Sequence, residues 1–280
     1  MNVVEYSVER LLRVAQTFAA TPRVMAELGR LLRDPNADLD EITTHLRRDS
    51  ALAARLLRIA NSAAFAQSGH VSSIEDAAAL IGYNEIHRLV GAVAVDQFSQ
   101  ASYPLYGIVG RRLRENALYV ALLMEELAGP ADEAPQAAYT VGLFRCFGRL
   151  ALEKLAAEGP STAGFRADSD EEILAWEKHT FGITANEATA VILRHWQFPR
   201  GMCEAIAEHY ASAGRLHRLT HLLNLAAGLA DQLGHGLPGE SRYWVQTDEA
   251  FRNAGLDPSM CQNHIERATR AFERLSQAIA

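Results

Sequence analysis

Apolar residues recur with the period of a helix along almost the whole chain. Between residues 50 and 60, Leu52, Leu56 and Ile59 lie at positions i, i+4 and i+7, on one face of a helix. A longer stripe runs through residues 215–233, at Leu216, Leu219, Leu223, Ala226, Ala230 and Leu233. No stretch alternates apolar and polar residues with many β-branched side chains, as a half-buried strand does. The pattern therefore predicts an all-α fold.

Capping residues and helix breakers divide this pattern into segments. Pro22 suits the first turn of a helix that carries Leu28 and Leu32. Asp38, with Glu41 three positions later, has the arrangement of a capping box. The remaining predictions are a loop at residues 234–239 and helices at residues 50–60, 73–82, 83–98, 105–127, 135–155, 171–180, 184–196, 199–210, 215–233 and 257–279.

The composition is that of a soluble globular protein. The 280 residues are 49% hydrophobic and 22% charged, which allows a substantial core. No apolar run approaches the roughly 20 residues that a membrane helix needs, and the N-terminus lacks the features of a signal peptide. The formal net charge of −7 argues against nonspecific binding of nucleic acid, although Arg111, Arg112 and Arg114 form a local basic group. We expect a cytoplasmic protein that does not enter a membrane.

The cysteines agree with a reducing compartment. Cys146, Cys203 and Cys261 are odd in number and far apart, so neither a disulfide framework nor a cysteine-based zinc site is predicted. Cys146 lies in an apolar stretch and is expected to be a buried, inert thiol. The alternative is a reactive thiol whose pKa is lowered by the neighbouring Arg145.

Three segments in the first third of the chain carry a family resemblance. They are residues 31–42 (LLRDPNADLDEI), residues 48–65, which end in LLRIANSAAF, and residues 73–82 (SIEDAAALIG). Individually weaker matches follow at residues 177–182, 195–199 and 205–210. Over roughly residues 20–235 the chain resembles the HDOD family, helical output domains of bacterial signalling proteins.

The resemblance implies a multi-helix bundle related to HD-type phosphohydrolases. We expect an N-terminal helical HDOD module at residues 1–100, packed on a degenerate HD-like helical module at residues 101–235. Residues 236–280 would form a C-terminal loop and helix that pack on the same body.

The residues at the expected HD ligand positions do not suit a metal. HD enzymes bind one or two metal ions through an adjacent His-Asp pair with a further His and Asp. Here the pair falls on Arg145 and Cys146, the upstream His on Glu115 or Asn116, and the late Asp near Ala227. An arginine stays protonated and repels a divalent cation. The resemblance thus implies no metal, no cofactor and no catalytic residue.

Arg145 has two interpretations. Its guanidinium group can anchor a phosphate or a carboxylate of a ligand, because its fork of N–H groups suits both. The alternative is an internal salt bridge that fills the space of the lost metal, with Glu115 as the candidate partner. We favour the salt bridge, since buried arginines are nearly always paired.

Asn61 and Ser62 also have two interpretations. They can line a recognition surface together with Arg58, which lies one helical turn before Asn61. They can equally end the helix by satisfying exposed backbone groups, and we favour this second role.

His217 and His221 have the i, i+4 spacing of a two-histidine metal pair. Two ligands do not complete a site, so we interpret them as surface histidines and His209 as a packing or hydrogen-bonding residue. The alternative is a residual metal-dependent phosphohydrolase that recruits all three histidines.

The leading hypothesis is a non-catalytic regulatory protein that binds a protein partner in a bacterial signalling pathway. Two contact surfaces are predicted, the rim around Arg58 and Asn61 and the groove where the Arg145 region faces the N-terminal helices. A nucleotide or other small anionic ligand held by Arg145 is the further alternative. The candidate binding residues are Arg58, Asn61, Ser62, Glu115, Arg145 and His209.

Overall fold

A computed structural model describes residues 7–18, 43–44, 46–47, 49–65, 71–96, 99, 101–159, 162–211 and 216–279. The predicted helix after Pro22 and the capping box at Asp38 lie outside these residues.

The N-terminal part contains four helices whose bounds the structure describes, and residues 43–44 and 46–47 are also helical. The four are α1 (Val8–Gln16), α2 (Ser50–Ala60), α3 (Ile74–Ile81) and α4 (Tyr83–Asp96). Asp49 caps α2, since its carboxylate accepts a hydrogen bond from the Leu52 amide at 3.0 Å. Sequence analysis did not predict α1.

A short hairpin precedes the central helix, where a helix from residue 105 was predicted. Strands β1 (Ser102–Tyr103) and β2 (Ile108–Val109) pair antiparallel around a 3₁₀ turn. The turn ends at Gly107, whose φ of 63° is in the left-handed region and stops a helix from continuing. Helix α5 therefore begins later and spans Gly110–Ala128.

The prediction of one continuous helix at residues 135–155 is wrong. The segment forms two helices, α6 (Pro135–Phe144) and α7 (Phe147–Ala157). Cys146 leaves the helical region, with φ −95° and ψ 6°. The α7 backbone is pressed against a later helix: a Cβ on Gly148 would lie 1.9 Å from the carbonyl oxygen of Ala185. There the hydroxyl of Thr189 accepts a hydrogen bond from the Gly148 amide at 2.7 Å. This bond satisfies an amide that the break leaves open.

Four helices follow close to their predicted positions. They are α8 (Ile173–Phe181), α9 (Ala185–His195), α10 (Arg200–Glu208) and α11 (Arg218–Ala230). After a π-helical turn at Asp231–His235 the chain enters residues 236–247, which contain a 3₁₀ turn at Ser241–Tyr243. We refer to residues 236–247 as the inner loop. The chain then forms α12 (Asp248–Asn253), a 3₁₀ turn (Pro258–Met260) and α13 (Cys261–Ile279).

Helix α5 is at the centre of the fold. It packs against α6, α11, α13 and α4, and most of its side chains are buried. Leu56 of α2, Leu122 of α5, Leu223 of α11 and Leu275 of α13 belong to the same hydrophobic cluster. The predicted all-α fold is confirmed, whereas the division into modules at residues 100 and 235 stays a prediction. Among the residues described, no helix has the length and apolar character needed to cross a membrane.

Candidate functional site

Arg145 and Glu240 form an ion pair that is completely shielded from solvent, at the break between α6 and α7. The Nη2 atom of Arg145 lies 2.8 Å from Oε2 of Glu240, and both side chains are 0% exposed. The same guanidinium group donates to Oε1 of Glu240 at 3.3 Å and to the side-chain oxygen of Asn116 at 2.8 Å. The prediction that Arg145 forms an internal salt bridge is thereby confirmed.

A second arginine, Arg149 in the first turn of α7, binds the same carboxylate of Glu240. The Nη2 atom of Arg149 lies 2.7 Å from Oε1 of Glu240, and the Tyr210 hydroxyl donates to that oxygen at 2.7 Å. Glu177 of α8 lies 3.9 Å from Nε of Arg149. We call Arg145, Arg149, Glu177 and Glu240 the buried ion cluster.

Local structure sets each side chain of the cluster in place. Arg145 follows the last residue of α6 and Arg149 lies in the first turn of α7, and both guanidinium groups reach Glu240 across the break. Glu177 is fixed from the other side, since its Oε2 accepts a hydrogen bond from the Ala185 amide at the start of α9, at 2.7 Å. Glu240 comes from the inner loop, far along the chain.

Aromatic rings cover the two arginines. Trp244 of the inner loop lies 5.5 Å from the Arg145 guanidinium group, and Tyr106 lies 5.3 Å from that of Arg149. Tyr210 stacks on Trp244 with 5.4 Å between ring centroids. Such cation–π contacts stabilise the guanidinium groups through the ring faces and add no anion to the cluster.

The pKa values of the two carboxylates of the cluster are shifted in opposite directions. Burial raises the pKa of Glu240, but Arg145 and Arg149 outweigh this effect and lower the pKa to about 2. Burial raises the pKa of Glu177 to about 7, against the attraction of Arg149. Glu240 is therefore the firmly ionised partner of the arginines, whereas Glu177 changes its charge near neutral pH.

The residues at the HD ligand positions do not fit a metal ion. Arg145 carries a fixed positive charge, and burial raises the pKa of Cys146 to about 11, which keeps it a neutral thiol rather than a thiolate ligand. Asn116 already binds Arg145 and donates to the carbonyl of His235 at 2.7 Å. Ala227 has no donor atom. Within the ranges described, no three His, Cys, Asp or Glu residues come together as a metal site.

The predicted Arg145–Glu115 ion pair is wrong. Glu115 lies 3.6 Å from Arg111 at the protein surface. Neighbouring residues on a helix point about 100° apart, so Asn116 faces Arg145 and Glu115 does not.

Within the described residues, the three histidines of the alternative metal site, His209, His217 and His221, do not form a group that could hold a metal ion. His209 is buried and its Nδ1 lies 2.7 Å from the carbonyl oxygen of Ile206, while burial lowers its pKa to about 3. His217 is 68% exposed and lies 3.7 Å from Glu204.

Asn61 forms a local clasp at the end of α2. Its amide nitrogen donates to the carbonyls of Leu57 and Val71, both at 2.9 Å. Its side-chain oxygen accepts from the Val71 amide at 2.9 Å. These bonds give Asn61 the helix-ending role that we favoured.

The other two residues of this rim are Arg58 and Ser62. The Arg58 residue is exposed, whereas the Ser62 hydroxyl oxygen is buried and has no hydrogen-bond partner among the described residues. In the described part of the chain, no hydrogen bond or ion pair joins this rim to the buried ion cluster.

Sequence reasoning missed Arg149, Glu177, Tyr210 and Glu240. Glu177 is followed by Lys178 and His179 and gives no clear signal, but Arg149 is a charged residue among the apolar residues 147–152. Such residues are almost never fully buried unless they are paired. Glu240 lies in a loop, and its local sequence gives no such signal.

Comparisons with known proteins support the family. The family model of the HDOD domain matches residues 18–212 of the chain. No curated protein matches the sequence. Among solved structures, an "HDOD domain protein with unknown function" from Geobacter sulfurreducens has a TM-score of 0.67 at 18% identity, over 98% of each chain.

Two further solved structures share the fold under different names. A "Putative signal transduction protein" from Marinobacter aquaeolei VT8 has a TM-score of 0.70 at 20% identity, over 97% of this chain and 64% of that one. This chain therefore spans less than two thirds of the Marinobacter protein. A "Putative phosphohydrolase" from Shewanella amazonensis SB2B has a TM-score of 0.64 at 22% identity, over 97% and 98% of the two chains. At these identities the likeness shows the fold alone.

Proposed function

The chain belongs to the HDOD domain family, and we propose that it is a non-catalytic regulatory protein that binds another protein in a bacterial signalling pathway. The observation that carries the proposal is the Arg145–Glu240 ion pair at the position of the HD metal pair. A metal-dependent hydrolase needs a cation there to generate its nucleophile from water. The residues present supply a second cation, Arg149, instead of a ligand set.

The partner surface in this proposal is the rim around Arg58. Asn61 uses both polar atoms of its side chain within the protein, and the Ser62 hydroxyl is buried. Arg58 is exposed in the last turn of α2, where a carboxylate of a partner can reach it. The groove at Arg145 is not used, because Arg145 and His209 are buried and a partner cannot contact them in this conformation.

The proposed compartment is the cytoplasm. Cys146, Cys203 and Cys261 are free thiols and all three are buried. Free thiols are usual in a reducing cytosol.

Affinity capture with a charge-reversed surface tests the partner proposal. We expect Arg58→Glu to lose a protein that the wild type captures from a lysate of the source bacterium. The matched control is Arg252→Glu, which reverses an exposed arginine of α12 and should keep that protein. Retention of the same proteins by all three baits would remove Arg58 from the interface.

A hydrolase assay tests the non-catalytic part separately. We expect no metal-dependent hydrolysis of phosphomonoesters or phosphodiesters with added magnesium, manganese, iron or zinc. Hydrolysis that purifies with the wild type and disappears in His217→Ala/His221→Ala would overturn the proposal and restore the phosphohydrolase alternative.

A further inference from the structure

We propose that Arg145 and Arg149 form a latent binding site for a phosphoryl oxyanion, which the carboxylate of Glu240 occupies as an internal substitute ligand. Glu240 accepts from Arg145 and Arg149 and from the Tyr210 hydroxyl, within 3.3 Å for every contact. Two guanidinium groups converging on one anion is an arrangement with which arginines hold carboxylate and phosphate ligands. Here the anion is supplied from a loop of the chain itself.

The donors of the site exceed what Glu240 can satisfy. Nε of Arg145 and Nη1 of Arg149 are buried and have no hydrogen-bond partner among the described residues. A carboxylate offers two oxygen atoms, whereas a phosphoryl group offers three strong acceptors. Buried N–H groups without acceptors are costly, so a tetrahedral oxyanion suits this donor set better than a carboxylate does.

The charge balance favours the same class of ligand. Glu240 carries one negative charge between two fixed positive charges, and burial raises the pKa of Glu177, the other carboxylate nearby, to about 7. When Glu177 is protonated, the cluster carries a surplus positive charge. A phosphoryl group with nearly two negative charges would neutralise both arginines without Glu177.

The inner loop connects the site to the surface. Gly236, Leu237 and Pro238 line a surface cavity of about 310 Å³, while Glu240, two residues later, is fully buried. Gly239 makes the turn with φ +79°, and a Cβ there would lie 2.5 Å from the Phe165 ring. The loop thus runs from an open cavity into the buried ion cluster, and withdrawing it would open the site from that side.

Apart from the side-chain contacts of Glu240 and those of Arg242 and Tyr243 with Glu172, bonds to backbone groups hold the inner loop. Asn224 donates to the Tyr243 carbonyl at 3.0 Å and accepts from the Val245 amide at 3.3 Å. Arg112 donates to the Gly236 carbonyl at 2.9 Å. An external anion competes with this tethered carboxylate, so the wild-type protein should bind phosphate weakly and a protein without the carboxylate should bind it well.

Removing the charge of Glu240 tests the inference. We expect Glu240→Gln, which keeps the size of the side chain, to bind inorganic phosphate at least about tenfold more tightly than the wild type by calorimetric titration. Glu177→Gln is the matched control, since it removes a carboxylate from the same cluster but leaves Glu240 in place. Because Glu177 is already partly protonated near pH 7, this variant should gain much less phosphate affinity than Glu240→Gln. Potassium chloride at equal ionic strength controls for screening.

A second variant and a wild-type titration cover the loss of folding. Glu240→Ala opens more space and should also gain phosphate affinity. If neither variant folds, the wild type decides: a saturable change of tryptophan fluorescence with phosphate, lost in Trp244→Phe, would support the site. AMP in place of phosphate distinguishes a phosphomonoester ligand, which binds more tightly than phosphate, from the free ion, which binds equally well or better.

The inference is overturned if Glu240→Gln and Glu240→Ala fold and bind phosphate no better than the wild type and Glu177→Gln. It is also overturned if neither variant folds and the wild type shows no saturable response to phosphate. The inference goes beyond the proposed function, and the capture experiment with Arg58→Glu is unaffected by either result.

Discussion

Asn61 and Arg145 both lie where a helix ends, yet they find their partners over very different distances along the chain. The amide of Asn61 binds Leu57 and Val71, which are 4 and 10 residues away. The guanidinium group of Arg145 binds Asn116 and Glu240, which are 29 and 95 residues away. The first is a local clasp, whereas the second ties together segments that meet only in the folded protein.

The difference also concerns charge. Asn61 is neutral and half-buried, so losing its bonds exposes polar groups that water can partly solvate. Arg145, Arg149 and Glu240 are ionised and removed from water, and each depends on the others to offset its desolvation. Breaking the buried ion cluster should therefore cost more than breaking the clasp.

The largest effect is expected for Glu240→Ala. Without the carboxylate, two buried arginines face each other without their main counter-charge, and the free energy of unfolding should fall by about 3–5 kcal/mol. Urea denaturation followed by circular dichroism measures it. Glu249→Ala, an exposed glutamate of α12, should change stability by less than about 0.5 kcal/mol. A loss as small as that of the control would mean that water or another group replaces Glu240.

A smaller loss is expected for Asn61→Ala. It leaves the Leu57 and Val71 carbonyls and the Val71 amide without their side-chain partner, which should cost about 1–3 kcal/mol. Asn253→Ala, at an exposed position, serves as the control. An unchanged melting temperature combined with loss of a binding partner would instead assign Asn61 to recognition.

A third effect is a pH dependence of stability that separates the two carboxylates of the buried ion cluster. Burial raises the pKa of Glu177 from 4.5 to about 7, so the folded protein holds a proton that the unfolded chain has released. Stability from Glu177 should therefore fall as the pH rises from 4.5 to 7, by at most about 1.4 kcal/mol per pH unit.

Glu240 should act in the opposite sense and at lower pH. Its pKa is lowered from 4.5 to about 2, so its contribution is present above pH 4.5 and is lost as the pH falls towards 2. The contribution of Glu177 is isolated by comparing the urea denaturation of the wild type and of Glu177→Gln between pH 4.5 and 7. A difference between the two proteins that does not change between pH 4.5 and 7 would contradict the raised pKa.

The same contrast explains how much of the molecule the sequence predicts. Helix periodicity and the cap at Asp49 depend on neighbours within a few positions, so the all-α fold and most later helices were predictable. The break at Cys146 was not predicted; it lies beside the close approach of Gly148 to Ala185, a contact with a distant helix that the local sequence does not reveal. Local propensity favours continuing a helix there, and tertiary packing overrides it.

At the candidate site the sequence predicts the need for a partner but not which residue provides it. An arginine in the apolar stretch around Arg145 predicts a buried ion pair on physical grounds alone. The choice between Glu115 and Glu240 depends on which way α5 faces and on the path of the inner loop. Neither is encoded in the residues next to Arg145.

The position of Glu240 also bears on where the protein can be shortened. The family model ends at residue 212, before α11 and before the inner loop. A fragment trimmed to those limits would keep Arg145 and Arg149 and lose the carboxylate that lies between them. The segment that matches the family model is thus shorter than the segment that completes the interior, because a fragment with those limits would also lack α11 and α13, which pack on α5.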